Sequence, residues 1–323
     1  MTISTSLTGS KKAFAMSILT GLQQIPKQLS SKYFYDHNGD RLFQEIMQMP
    51  EYYLTDCEYE IFDQQKEALL QKIGKGAFEL IELGAGDGLK TKVLLHHFVQ
   101  QNVSFQYRPV DISDSVLSQL TRSLVAELPT LQVAPLHGEY FQVLEQLKAM
   151  GNHQKKVIFF LGANIGNLTK QQSLSFLRQL NDLLMPGDML LIGIDLKKDP
   201  ATILSAYNDV AGITAAFNLN LLTRINRELK GHFVLENFKH WESYNPLTGE
   251  TKSYIVSKKD QTVKIEALST TIHFDAWEAI EVELSQKYSI QEVEILASQS
   301  GFSILSHFFD SKNYFVDSLW IKA

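Results

Sequence analysis

From residue 77 onward, short apolar runs alternate with longer stretches whose apolar positions recur at helical spacing. FELIEL (78–83) ends at glycines, and LKTKVLLHHFVQQ (89–101) follows with a helical repeat. YRPVDIS (107–113), LQVAPLHGEY (131–140), KKVIFFLG (155–162) and PGDMLLIGIDL (186–196) read as the next four strands. The stretches 115–128, 141–150 and 171–184 between them read as helices. Strands and helices alternating at these lengths predict a parallel, doubly wound, Rossmann-like sheet with right-handed crossovers. The alternation then stops: residues 197–286 mix helical and strand signals without a steady period. QEVEILASQSGF (291–302) resumes as a helix. FSILSHFFD and YFVDSLWIKA follow as two strands joined by a turn at Ser311-Lys312-Asn313. The expected architecture is an α/β core over 61–196 and 287–323, closed by a C-terminal antiparallel hairpin. Residues 197–286 form an inserted α+β lobe for substrate, with 1–60 packed onto it.

Composition narrows the function classes. The chain has 323 residues, 44% of them hydrophobic and 20% charged, as in a soluble globular protein. A net charge of −6 argues against a surface that tracks phosphates, so no nucleic-acid partner is expected. Cys57 is the single cysteine, which excludes an internal disulfide, fits a reducing compartment and reads as a small core residue. No run approaches the roughly 18 apolar residues of a membrane span, and no secretion signal precedes the sequons at Asn102 and Asn167. A cytoplasmic location, no membrane partner, no metal and a monomeric default are the corresponding expectations.

The chemistry concentrates at the strand ends, where open α/β sheets bind ligands. In IELGAGDG (81–88), Gly84 and Gly86 allow close backbone approach just before a helix N-terminus. A glycine-rich turn without a ligand would look the same. The balance shifts at VDIS, where Asp111 ends the second strand in position for ribose hydroxyls. The spacing lacks the third glycine of a dinucleotide fingerprint. S-adenosylmethionine, with ribose and adenine but no pyrophosphate, therefore fits better than NAD. Glu139 and Tyr140 in HGEY could bind and stack the adenine, and read equally well as a solvated acid beside an edge aromatic. FLGANIGNLT (160–169) places Gly162, Asn164 and Asn167 at the fourth strand end. Neutral amides suit a methyl acceptor that must be an uncharged amine; an asparagine-type cap for the next helix, at Asn167 or Thr169, is the structural alternative. The segment is not the Asn-Pro-Pro-aromatic signature of nucleic-acid amine methyltransferases.

These blocks, with KYFYDHNGDRLFQEIMQMPEYYLT, AYNDVAGITAAFNLNLLTRINREL and HFDAWEAIEVELSQKY, resemble the L-histidine Nα-methyltransferases of ergothioneine biosynthesis across nearly the whole chain. The resemblance implies a class I SAM-dependent methyltransferase core with S-adenosyl-L-methionine as methyl donor. It implies that Gly84, Lys90 and Asp111 bind the donor, with Glu139 and Tyr140 at the adenine. Asn167 and Tyr207 would hold the substrate carboxylate. Tyr52, Glu283 and Ser285 would read the imidazole with Thr214 nearby, and Tyr35, Phe43 and Gly162 would line the amine. Glu283 and Ser285 alternate on a strand, which points both to one face, and a carboxylate with a hydroxyl matches the one acceptor and one donor of a neutral imidazole. Four positions depart from related members: Glu139 for Asp, Tyr140 for Phe, Asn164 for Thr near the amine, and Ser253 for Met against the imidazole.

The reaction implied is methyl transfer to the α-amine of L-histidine, repeated to the trimethylated betaine hercynine, with Tyr35 or a water taking the proton. The alternative is the same N-methylation on another aromatic amino acid, or incomplete methylation of histidine, motivated by Ser253 and Asn164. A cofactor-binding protein without catalysis would have lost the glycines or Asn167, and this chain keeps them.

Overall fold

A computed structural model describes residues 9–149 and 154–323. The chain begins with α1 (Gly9–Gln23), β1 (Lys27–Gln28) and α2 (His37–Met47). A long α3 (Tyr53–Ile73) leads to β2 (Phe78–Leu83), α4 (Thr91–Gln100), β3 (Phe105–Asp111) and α5 (Asp114–Glu127). Then come β4 (Gln132–Val133), β5 (Leu136–His137), α6 (Tyr140–Ala149), β6 (Lys155–Phe160), α7 (Lys170–Leu183) and β7 (Met189–Asp195). The region without a steady period contains α8 (Pro200–Ser205), α9 (Ile213–Leu229), β8 (Phe238–Asn245), β9 (Glu250–Ser257), β10 (Gln261–Ile265), β11 (Thr270–Phe274) and β12 (Ala279–Gln286). The chain closes with α10 (Ile290–Gln299), β13 (Phe302–Phe309) and β14 (Phe315–Lys322).

Two compact units result. One, the core unit, comprises the described residues of Leu54–Lys197 and Gln286–Ala323; the other, the accessory unit, comprises the described residues up to Tyr53 and Lys198–Ser285. The first break falls at Tyr53, where α3 begins, rather than at residue 60.

The core unit is built on an eight-stranded sheet of order β13-β14-β7-β6-β2-β3-β4, with β5 also paired to β3. Strands β2, β3, β6 and β7 run parallel, and β14 is antiparallel to both β7 and β13. The closing hairpin thus takes the sheet edge, as the two terminal runs suggest. Every residue of β2 and β7 is buried, the expected result for central parallel strands covered on both faces. The chain winds outward through β3 and β4 on one side of β2 and through β6 and β7 on the other. The topological switch therefore lies between β2 and β6.

One strand departs from expectation. The run 131–140 forms two short pieces, β4 and β5, each pairing with β3. Pro135 lies between them and has no N–H for the ladder, so an edge strand breaks there. Tyr140 consequently opens α6 instead of ending a strand.

The accessory unit pairs a four-stranded sheet, β1-β12-β9-β8, with a two-stranded one, β10-β11. Its core gathers Phe14, Ile18 and Leu22 of α1, Phe217, Leu221 and Ile225 of α9, and Ile255, Ile280 and Val282 of the sheet.

Candidate active site

In the core unit, three strand ends at the switch bring the nucleoside-type residues together. β2 leaves the sheet at Gly84, whose φ of 75° is a left-handed conformation that glycine adopts freely. The Gly84 N–H donates to the Val110 carbonyl at 2.8 Å. A Cβ on Gly84 would sit 2.7 Å from the Tyr140 hydroxyl oxygen and 3.6 Å from Asn164 Nδ2, so the three converge. Asp111 is anchored at both oxygens: Oδ2 accepts from the Gly86 N–H at 3.3 Å and Oδ1 from the Ser113 N–H at 2.9 Å. Burial, then the charges of Asp111 and Glu139, push the Tyr140 phenol up to about 12, so it keeps its proton and stays a donor. Glu139 is exposed just ahead of α6, and Ile112 beside Asp111 leaves its apolar side chain 59% exposed.

Gly162 follows β6 with φ 70°, then Ala163 with φ 55° and the 3-10 turn Asn164–Asn167. Thr169, not Asn167, caps α7, in a capping box with Gln172. That decides the helix-cap alternative and leaves Asn167 exposed at the turn, outside any capping role. Lys90 caps the start of α4 through its backbone, and its ammonium pairs with the fully buried Glu58. Burial alone would lower the lysine pKa; the Glu58 charge and hydrogen bond outweigh it and hold it above the usual range. Beneath the glycine turn, Glu82 accepts from Thr91 Oγ1 at 2.6 Å and from the Tyr107 hydroxyl. Burial dominates there, raising its carboxyl to about 7 against those hydrogen bonds.

In the accessory unit, β12 carries Glu283 and Ser285 two positions apart. Ser253 of β9, fully buried, donates its hydroxyl to Glu283 Oε2 at 2.8 Å, which fixes the carboxylate. Ser285 is buried. Thr214 lies in the first turn of α9, its N–H donating to Asp209 Oδ1 at 2.8 Å while the Ile213 N–H donates to Oδ2 at 2.8 Å. Burial raises the Asp209 pKa, but these backbone donors outweigh it and leave the carboxyl below its usual range. Tyr207 is buried, and its carbonyl accepts from His240 Nε2 at 2.9 Å. One turn beyond Thr214, Asn218 is fully buried, with a side-chain oxygen that has no hydrogen-bond partner among the described residues. Tyr35, Phe43 and Tyr52 join Phe217 in an aromatic group: Tyr35–Phe43 5.6 Å, Phe43–Tyr52 6.4 Å, Tyr35–Phe217 5.7 Å and Phe43–Phe217 5.8 Å between centroids.

Comparison with known proteins shows the family of the chain. The family model described as histidine-specific methyltransferase, SAM-dependent, matches residues 14–322. The chain belongs to that family. Among curated relatives, the histidine N-alpha-methyltransferase of Mycolicibacterium smegmatis is 34% identical over 290 residues, 90% of this chain and 89% of its own. That of Mycobacterium tuberculosis is 34% identical over 310 residues, covering 96% and 95%. Ergothioneine biosynthesis protein 1 of Neurospora crassa is 31% identical over 298 residues, 90% of this chain but 32% of the longer relative. Among solved structures, the magnesium protoporphyrin IX methyltransferase of Synechocystis PCC 6803 is similar over 90% of this chain at 10% identity, with a TM-score of 0.47.

For a histidine-specific methyltransferase, several buried residues beside the candidate positions escape motif reading. Phe217 and Asn218 follow Thr214 by three and four positions on α9, a helical spacing that could have grouped them. Glu58 occupies the stripe of Leu54, Ile61 and Phe62, all buried, so an acid on an apolar helix face was its signal. His240 carries no local pattern, because the Tyr207 carbonyl it meets is 33 positions away. Asp209 lies only four and five positions before the N–H groups it accepts from, a short acid-to-helix-start spacing that could have marked it.

Proposed function

We propose that this methyltransferase transfers methyl groups from S-adenosylmethionine to the α-amine of L-histidine until the betaine is complete. The observation that carries the histidine assignment is the Ser253–Glu283 hydrogen bond. It fixes an acceptor for an imidazole N–H, and buried Ser285 supplies a hydroxyl for the other ring nitrogen. Ser253 thereby serves the carboxylate where related members carry a methionine. An indole would satisfy Glu283 but offers no acceptor nitrogen to the Ser285 hydroxyl, a mismatch that selects against tryptophan.

The donor half fits S-adenosylmethionine on its geometry. The cradle at Gly84 admits no side chain, Asp111 is prepositioned for ribose hydroxyls, and Ile112 offers an exposed apolar face to a purine. Glu139 and Tyr140 complete the purine side, and Gly86 and Lys90 the amino-acid side. Once bound, the donor supplies a sulfonium methyl that passes to the amine nitrogen's lone pair as its C–S bond breaks, leaving S-adenosylhomocysteine. Gly162, Asn164 and Asn167 present neutral backbone and amide groups, which favour an uncharged amine over an ammonium. Tyr52 and Thr214 are assigned to the imidazole and Tyr207, with Asn167, to the substrate carboxylate. Tyr35 and Phe43 are assigned to line the amine. As methyls accumulate the nitrogen becomes a quaternary cation, which aromatic faces stabilise without hydrogen bonds. Tyr35, 45% exposed, is the group assigned to pass the amine's proton outward.

Initial rates with histidine, tryptophan and tyrosine in competition test the assignment. Histidine should dominate, and a preference for tryptophan would overturn it.

A further inference from the structure

Glu58 is used by no step above, yet its surroundings are built around it. Its carboxylate is fully buried in α3, with Oε2 on the Lys90 ammonium and Oε1 on the Gly162 N–H at 2.7 Å. Gly193 of β7 makes the room: a Cβ there would stand 2.3 Å from Glu58 Oε1. Opposite Gly193 in the β7–β14 ladder is Asp317, fully buried, with neither oxygen meeting a donor among the described residues. Burial and the Glu58 charge hold the Asp317 carboxyl well above the carboxylate range, so it is neutral and can itself donate to Glu58. One anion therefore gathers the ammonium before α4, the backbone turn after β6, and a neutral acid on β14.

We propose that Glu58 is a positioning residue of the methyl-donor site, fixing Lys90 and the Gly162 turn relative to each other through its two carboxylate oxygens. The inference rests on the donor-site reading of Lys90 and Gly162 given above. An ammonium has three donors, so Glu58 can orient Lys90 and still leave donors for the carboxylate end of the cofactor. The Gly162 N–H bond sets the height of a turn whose backbone must approach the transferred methyl, and small displacements there suppress transfer steeply. A carboxylate does both at once; an amide cannot, because both partners are donors and its NH2 must face either the ammonium or the Gly162 N–H.

Titration calorimetry of the purified full chain with S-adenosylhomocysteine, alongside steady-state kinetics, tests this. Glu58→Gln should weaken S-adenosylhomocysteine at least about tenfold, equivalent to 1.4 kcal/mol, and lower kcat, while the KM for histidine stays within about twofold. In a Lys90→Met background the same substitution should change S-adenosylhomocysteine binding less than about twofold, because the group it orients is gone. Gly193→Ala, which displaces the carboxylate without changing any charge, should reproduce the loss and supplies the readout if Glu58→Gln does not fold. Unchanged binding in Glu58→Gln or Gly193→Ala, or full additivity with Lys90→Met, would overturn the proposal. A wild-type chain that fails to bind S-adenosylhomocysteine would instead sink the donor-site reading beneath it.

Discussion

At the scale of single residues, the chain hides its acids in places where apolar side chains would pack more cheaply. Glu82 is the penultimate residue of a fully buried strand. Its carboxyl titrates at about 7 instead of 4.5, so the folded state holds that proton more tightly than the unfolded chain. The stabilisation from this group is complete below about pH 4.5 and is lost as pH rises through 7, on the order of 3 kcal/mol. His307, whose pKa burial lowers, pulls in the opposite sense below pH 6.5. The measurement is therefore the difference between wild type and Glu82→Gln in urea unfolding. The variant should gain on the wild type between pH 4.5 and 8; a pH-independent difference would contradict the account. Glu283 is a different kind of acid, held ready by Ser253. Glu283→Gln should reduce kcat/KM for histidine by about 10- to 100-fold, the range for losing a charged hydrogen-bond partner. Ser253→Ala, which removes only the orienting donor, should cost about five-fold, and equal effects of the two would argue against that hierarchy.

At the scale of elements, hydrophobic period carried most of the reading. The runs at 78–83 and 155–162 emerge as strands because buried parallel strands advertise themselves as short apolar runs bounded by glycines. The closing antiparallel hairpin emerges because two apolar runs flank the turn at Ser311-Lys312-Asn313. The reading failed at 131–140, where one proline outweighed a suitable composition, and was left open at Asn167, where only the capping geometry of Thr169 could decide. The accessory unit resisted because its sheet is closed by pairs distant in sequence, β1 with β12 and β12 with β9, and no local period encodes that. Its site residues became legible through resemblance alone. The glycine turn after β2 gives the test at this scale. Gly84→Ala forces a left-handed conformation on a side-chain-bearing residue, at about 1–2 kcal/mol, and thrusts a methyl to 2.7 Å from the Tyr140 oxygen. Denaturant melts should show a loss of that size together with at least tenfold weaker S-adenosylhomocysteine binding. Retained binding would mean that the turn is not the nucleoside cradle.

At the scale of the whole chain, the accessory residues 198–285 leave and re-enter the core unit at one point. Leu196 bridges Tyr288 in parallel, the Tyr288 N–H donates to the Asp195 carbonyl at 3.1 Å, and Lys287 pairs with Asp195 at 2.7 Å with both side chains fully buried. Such a junction lets a sheet accept a long insertion without opening its core. Asp195→Ala would remove the charge partner of a buried ammonium and should destabilise the protein by about 3–5 kcal/mol, while Asp195→Ala with Lys287→Met should recover most of that. Failure of the double variant to recover would assign the loss to packing instead of charge. The central claim concerns what the finished molecule does to its substrate. Its most direct test is mass spectrometry of the products formed from methyl-labelled S-adenosylmethionine and a pool of the twenty amino acids, with fragmentation to locate the label. The account predicts histidine carrying three labelled methyls, all on the α-nitrogen, and no other labelled amino acid. Label on the imidazole ring, on a different amino acid, or on none would contradict it.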